Sequence, residues 1–492
     1  MERLRRLLAA PIPAASLAFF RIAFGAILLW EVTRFFSAGW IEAHYVAPPF
    51  HFRYFGFEWV ERPSLEGLQA LFAALGVLAA LIAVGWWTRT AAALFFVGFG
   101  WVFLLEQARY LNHFYLVLLL LLLLAWVPTD GEWSLRAALR GRRPAPSLAL
   151  FLLRAQLLIV YGYAALAKVN GDWLQGEPLR QWLKGRGELP LIGPLLLHPA
   201  TPWFMSWSGL LLDLLAVPLL CWRRTRVAMF AALCCFHLLN ACLFDIGIFP
   251  WMAIAATTLF FAPDWPSRWL ARWRGGWQRQ EQAEARALFG YDSGVFQALA
   301  RREGETTVER PLAAFATAAP PRLARATLAL VALWLAYQLL FPLRHFLYPG
   351  NVSWTEEGHL FAWHMKLRSK TSSAHFVVTD PVTGERRIVD PRAELADWQA
   401  QKMGDRPEMV LQYAHHLARR YTVVDPATGA ARRPQVRAIV DCSLNGRDAQ
   451  PLIDPNVDLA AVERSLAPAP WIVPLTEPLP PEWRRGQVEF EE

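Results

Sequence analysis

The sequence predicts a polytopic α-helical membrane domain of about nine transmembrane helices, followed by an α+β, β-rich soluble domain. Three observations predict it. Of 492 residues, 55% are hydrophobic, and the mean hydropathy is +0.24, more apolar than the roughly 45–50% of an ordinary soluble protein. The excess lies in runs such as Leu116 to Val127, where every position but Trp126 is Leu, Ala or Val. These runs nearly cease after Arg344.

Crossing a bilayer takes about 17–25 mainly apolar residues. By that measure the candidate spans are 16–36, 68–87, 91–106, 110–127, 148–168, 203–222, 227–244, 246–262 and 324–343. The third and eighth are the least well marked, and tilt or partial re-entry is open for both. A tight turn near Asp245 separates the seventh from the eighth. The start, with Arg3, Arg5 and Arg6 before an apolar stretch, looks superficially like a secretion signal. The stretch runs too long, contains Arg21 and Glu31 and lacks a small-residue cleavage site, so it reads as the first membrane helix.

Positive charge between the spans sets the orientation. One side collects Arg3, Arg5 and Arg6, then Arg89, then Arg136, Arg140, Arg142 and Arg143, then Arg223, Arg224 and Arg226. The long gap from Asp264 to Arg322 adds Arg268, Arg272, Arg274, Arg279, Arg286, Arg301, Arg302 and Arg310 to that side. The other side has Arg180, Lys184 and Arg186 but is otherwise poor in positive charge. The richer side is therefore expected to be cytoplasmic, with the N-terminus on it and the C-terminal part on the outer, periplasmic or extracellular, face. The expected organisation is a catalytic membrane domain over 1–265, a cytoplasmic loop over 266–322, a last transmembrane helix over 323–344 and an outer-face soluble domain over 345–492.

In that soluble part, the stretch from Ala374 to Val389 reads as a hairpin turning at Pro381 to Gly384. The stretch from Val436 to Ile453 reads as a second, turning at Asn445-Gly446. Helical spacing runs from about Pro391 to Arg420, and Pro468 to Pro481 is extended. No period of about 20–50 residues repeats, which argues against solenoids and propellers.

The net charge of +8 is scattered in clusters between apolar runs, a topology signal rather than a nucleic-acid face. Cys221, Cys234, Cys235 and Cys242 fall in or beside spans and Cys442 in the soluble part, so the five cysteines give no disulfide framework. Cys234-Cys235-Phe236-His237 lacks a second ligand pair, and His415 and His416 point about 100° apart on a helix, so no metal site is expected. Walker, dinucleotide-binding and nucleophile-elbow motifs are missing, which removes support for ATP, NAD and acyl-enzyme chemistry.

Ionisable residues inside spans are costly and point to function. Lys168 ends the fifth span, Asn112 and His113 begin the fourth, and His237 and Asn240 lie one turn apart near the end of the seventh. The topology brings all of them to a similar depth near the outer face. Each has a bland reading as well: a snorkelling lysine, an Asn112 helix cap, and His237 and Asn240 as hydrogen-bonding glue between helices. Arg21, Glu31, Arg154 and Asp213 also fall within spans, and an internal ion pair of Arg154 with Asp213 is the expected structural use.

These residues carry a resemblance through nearly the whole chain. Leu166-Ala-Lys-Val-Asn-Gly-Asp-Trp-Leu-Gln-Gly, Leu111-Asn-His-Phe-Tyr-Leu, the stretch from Phe236 to Pro250 and Asp264-Trp-Pro are similar to segments of the vitamin K-dependent γ-glutamyl carboxylases. Asn351-Val-Ser-Trp-Thr, Phe361-Ala-Trp-His-Met, Asp454-Pro-Asn-Val-Asp and Trp471-Ile-Val-Pro-Leu continue the match, in order. The chain resembles a bacterial relative of that family with an HTTM-type membrane domain.

The resemblance implies γ-carboxylation of peptidyl glutamate coupled to epoxidation of vitamin K hydroquinone. A glutamate γ-hydrogen is too weak an acid for a protein base tuned near neutrality. The family meets this by adding O₂ to the deprotonated hydroquinone, giving an alkoxide that takes the γ-hydrogen, after which the carbanion captures CO₂. Lys168 falls on the family's catalytic base, and His113 on a histidine of the same site. Asn112, His237 and Asn240 would bind and orient the hydroquinone or stabilise oxyanions. Only a neutral amine accepts a proton, and an apolar surrounding favours that form over the ammonium. The implied co-substrates are reduced vitamin K, O₂ and CO₂, with no metal. The implied partners are membrane lipid, the lipophilic quinol and a Glu-containing peptide held by the outer domain, in a bacterial inner membrane and without nucleic acid. Two positions depart from the vertebrate enzymes, Ala167 where they have a second lysine and Lys366 where they have a second methionine. The alternatives left open are a quinol epoxidase without protein carboxylation and a non-enzymatic transport or assembly protein, though a transporter would more often show mid-bilayer helix breaks and a repeat.

Overall fold

The computed structural model describes residues 2–190, 192–274 and 323–481. Among the described residues, seven helices are long and apolar enough to cross a membrane: α1 (Ala15–Ser37), α2 (Leu65–Val84), α3 (Thr88–Leu105), α5 (Ser147–Lys168), α6 (Thr201–Cys221), α7 (Arg226–Leu243) and α9, which begins at Arg325. Two shorter apolar helices, α4 (Asn112–Trp126) and α8 (Phe249–Phe260), complete the bundle. The short members are thus the fourth and eighth, whereas the third, expected to be weak, is a full 18 residues. Pro128 stands one residue past α4, after Val127, and limits it. At Phe249-Pro250 the proline sits in the first turn of α8, whose last residues tighten into a 3₁₀ turn over Thr258–Phe260.

Helix ends in an apolar bundle leave backbone carbonyls without partners, and two arginines, Arg21 buried and Arg154 half-buried, supply donors. Gly85, in the left-handed conformation at φ +74°, closes α2. Beside it the Arg21 guanidinium donates to the carbonyls of Ile82 (2.7 Å), Ala83 (2.6 Å), Trp133 (2.6 Å) and Thr129 (3.2 Å). Arg154 does the same at the end of α8, donating from Nε to Leu259 O (2.8 Å) and from Nη2 to Phe261 O (3.0 Å). The expected pairing of Arg154 with Asp213 is therefore corrected: Arg154 caps a neighbouring helix, and Glu31 pairs with Arg34 at 2.7 Å.

At the other end of the bundle stands the α+β part. Its sheet orders four antiparallel strands as β2-β1-β3-β4, with β1 Lys370–Thr379, β2 Arg386–Val389, β3 Gln435–Leu444 and β4 Gln450–Pro451. Both expected hairpins are present, and the long central pairing joins one to the other, from Lys370↔Leu444 to Thr379↔Gln435. Asn445 and Gly446 both take positive φ at the second turn. The expected single helical stretch is broken. A 3₁₀ turn at Pro391–Ala393 is followed by α10 (Asp397–Gly404) and α11 (Pro407–Arg420), because Pro407 cannot continue α10 and instead starts α11. The segment after Pro468 is extended, and Trp354 Nε1 donates to Val473 O (2.7 Å).

The two parts share a core. Phe52 and Ala108, from loops between membrane helices, pack among Phe376, Tyr413 and Val440 of the sheet part. Gln399 Nε2 donates to Glu106 Oε2 (2.8 Å), and Asp172, in the loop after α5, accepts both Nη1 (2.7 Å) and Nη2 (2.8 Å) of Arg447. Burial pushes the Glu106 carboxyl up to about 8, against hydrogen bonds from Ala108, Gln399 and Phe52. Of the positively charged residues expected between 266 and 322, Arg279, Arg286, Arg301, Arg302 and Arg310 lie outside the described residues.

Candidate active site

Between the bundle and the sheet part lies a cavity of about 810 Å³, within the roughly 300–1,000 Å³ typical of small-molecule sites. Lys168, His113, Asn112, His237 and Asn240 all line it. Helical spacing explains the α5 wall: Leu157, Tyr161, Ala164 and Lys168 follow one another at three- and four-residue steps and so share a face.

Lys168 is buried, and its Nζ lies 2.6 Å from Asp213 Oδ2 of α6 and 3.3 Å from the Ala164 carbonyl. The same amine stands 5.3 Å from the centroid of the Trp173 ring, a favourable cation–π distance. The pairing comes from a stagger between the helices. Trp173, beyond the end of α5, donates from Nε1 to Ser206 O of α6 (2.9 Å). The first turns of α6 therefore rise past α5, which raises Asp213 to within reach of the lysine's flexible stem. Helix lengths counted from the sequence place Asp213 deeper and nearer Arg154. Asp213 is the only acidic or basic residue of α6, a signal that marks it as needing a partner without naming which.

His237 is buried, and its Nε2 is 3.0 Å from the Tyr161 hydroxyl, while Nδ1 has no hydrogen-bond partner among the described residues. Tyr161 is a cavity residue that sequence reasoning passed over, although it precedes Lys168 by two helical turns. Asn240, half-buried, lies one turn beyond His237 on the same wall. Asn112 does not cap its helix. Its Oδ1 accepts from the Tyr110 hydroxyl (2.9 Å) and its Nδ2 donates to His364 O (3.1 Å), which ties α4 to the segment above it. His113 is half-buried beside Phe249, with ring centroids 6.4 Å apart.

The segment from Glu356 to Lys370 roofs the cavity. Four non-glycine residues in it take positive φ: Glu356 (63°), Phe361 (61°), Trp363 (61°) and Lys366 (51°). Each such residue costs about 1–3 kcal/mol and persists only where its surroundings over-determine it. Here the Phe361 amide donates to the Tyr110 hydroxyl (2.7 Å), Asn112 holds His364 O, Arg344 donates to Leu360 O, and Trp363 is buried.

The roof is cationic. Arg368, Lys370, Lys402 and Arg406 line the cavity together with Lys366, which sits over the rings of Trp182 (5.3 Å) and Phe244 (5.5 Å). Among the described residues neither Lys366 nor Lys402 has a carboxylate within ion-pair distance. Glu356 is the counter-ion of Arg368 and Lys370, taking Arg368 on both oxygens and Lys370 Nζ at 3.1 Å. Burial alone would raise its carboxyl, but Arg368, Lys370 and Arg406 outweigh that and hold it below the ordinary value. Burial, with the charges of His345 and Arg368, pushes the His364 imidazole down to about 3, so it is neutral at physiological pH. No group of residues able to hold a metal ion is found among the described residues.

Comparison with known families gives two matches. Residues 9–265 match the family described as the HTTM domain, and residues 323–478 match the lumenal domain of the vitamin K-dependent gamma-carboxylase. No solved structure matches the chain.

Proposed function

Because this chain is an integral membrane member of the vitamin K-dependent γ-glutamyl carboxylase family, we propose that it carboxylates peptidyl glutamate with reduced vitamin K, O₂ and CO₂ as co-substrates. The observation that carries this reading is the buried Lys168–Asp213 pair, 2.6 Å apart, in a cavity walled by apolar rings below and cations above.

The cavity suits a hydroquinone. Phe236, Phe249, Leu157 and Met252 offer apolar surface to a fused ring, and polar atoms of Lys168, His237 and Asn240 converge on the same space. When bound, the hydroquinone supplies, through O₂, the strong base that no side chain provides. Lys168 receives the hydroquinone's hydroxyl proton. His237 has Nε2 engaged by Tyr161 and Nδ1 left for a ligand oxygen, and it acts with Asn112, His113 and Asn240 in orienting the ring. The cations of the roof hold the carboxylates of the peptide, which meets the ring from the sheet side. The arginine clusters at the opposite end of the bundle support an orientation with the N-terminus cytoplasmic and the sheet part on the outer face of a bacterial inner membrane.

The test is to incubate detergent-purified protein with reduced vitamin K, O₂, labelled CO₂ and a Glu-containing peptide, and to measure epoxide and fixed label separately. Both products are expected. Epoxide without label would reduce the function to quinol epoxidation. Absence of both would point to a transport or assembly role and overturn the proposal.

A further inference from the structure

The surroundings of Lys168 raise a question of proton accounting. Its amine faces acceptors on three sides, namely Asp213 Oδ2, the Ala164 carbonyl and the Trp173 ring face. An amine so placed is surrounded as a donor. The carboxylate is less engaged: Asp213 Oδ2 takes the lysine, and Oδ1 has no hydrogen-bond partner among the described residues, although the residue lines the cavity. Acceptor capacity in this corner therefore lies on the acid.

Resting on the carboxylase reading above, we propose that the acceptor of the hydroquinone proton is the Lys168–Asp213 pair acting as one unit, with the Asp213 carboxyl as the proton's resting place. The hydroquinone O–H bond breaks and an N–H bond forms on Lys168, while a proton already on Lys168 crosses to Asp213 Oδ2 and completes an O–H bond there. The pair passes from net charge zero to plus one and the hydroquinone from zero to minus one. Lys168 is an ammonium at the end of the step, beside the anion it has helped to form. A lysine acting alone would have to lose its proton before the ligand arrives. The pair has no such requirement, because the neutral pair takes one proton from either arrangement of its own.

Asp213 thus does more than hold the lysine in place, and the difference is measurable without any turnover. Full-length protein in detergent is titrated with reduced vitamin K under strictly anaerobic conditions. The absorbance of the ionised hydroquinone reports proton transfer, and quenching of protein fluorescence reports binding. Wild type is expected to bind the hydroquinone and ionise it at neutral pH. Asp213→Asn is expected to bind within about threefold of wild type but to ionise at least about tenfold less, an effect on the proton rather than on affinity. Its ionised fraction should recover only when the buffer pH is raised far enough to ionise the free hydroquinone. Asp213→Glu, which restores the acceptor, is expected to return ionisation to within about threefold.

Ionisation by Asp213→Asn equal to wild type would overturn the proposal in favour of lysine alone. Wild type that binds the hydroquinone without ionising it, or fails to bind it, would overturn it as well. Should Asp213→Asn fail to fold, a folded Asp213→Glu that binds but does not ionise the hydroquinone overturns it, and one that ionises it supports it. Anaerobic ionisation followed, in air, by neither epoxide nor fixed CO₂ would reject the carboxylase reading while leaving the role of the pair intact.

Discussion

Lys168→Ala is expected to lower the rate of epoxide formation by about 10²- to 10⁴-fold, the range over which a positioned base contributes, with little change in the KM for peptide. The substitution also strands Asp213, a buried carboxylate whose only ion-pair partner within 4 Å among the described residues is the lysine. Breaking a buried pair by removing one member typically costs about 3–5 kcal/mol, so lost activity has to be separated from lost fold. The double variant Lys168→Ala/Asp213→Ala separates them. With both charges gone it should melt nearer to wild type than the single variant does, while its epoxidation stays as low. Recovery of activity along with stability in the double variant, or undiminished epoxide in the single one, would remove Lys168 from the chemistry.

Glu356→Gln is expected to destabilise the sheet part by about 3–5 kcal/mol, measured by chemical denaturation at neutral pH. Its side chain is 7% exposed and answers both Arg368 and Lys370. Glutamine fits the space but leaves Arg368 and Lys370 without their ion-pair partner, with only the Asp405 carboxylate nearby to offset them and Arg406. The sign of the pH dependence follows from a carboxyl held below its ordinary value. Its stabilising contribution is fully present above the unfolded-state value of about 4.3 and is lost as the pH falls through the lower folded-state value. Wild type should therefore lose stability through that acidic window, and Glu356→Gln should show a flatter profile there. A loss under about 1 kcal/mol would mean that solvent, and not Glu356, balances the roof cations.

Apolar runs and turn residues made most of the architecture legible. The Leu-rich run from Leu116 sits in α4, and Asn445-Gly446 turns the second hairpin where both residues take positive φ. Pairing between hairpins was not legible, because joining β1 to β3 depends on contacts across more than fifty residues of intervening chain and leaves no local pattern. The break at Asp405-Arg406 was hidden inside a continuous helical period, although Pro407 marks it. In the site, the cavity gathers all five residues singled out from the sequence, since helix direction fixes which ends meet. Asp213 was given to the wrong partner because depth counted in residues assumes helices that start level, and α6 does not. The roof was invisible for a different reason. Positive φ at Phe361 and Trp363 is imposed by tertiary contacts against what their residue types prefer.

The stagger that brings Asp213 to Lys168 also bears on how the protein enters the bilayer. An acid within an apolar segment raises the cost of insertion by about 2.5–3.5 kcal/mol at the helix centre, and α6 holds Asp213 without another charge of its own. Its partner precedes it by 45 residues, so during synthesis the lysine-bearing helix is available before the acid emerges. The two segments then present lipid with a neutral couple in place of two separate charges. On this account α6 is a conditional membrane helix, whose retention depends on α5 having been inserted first.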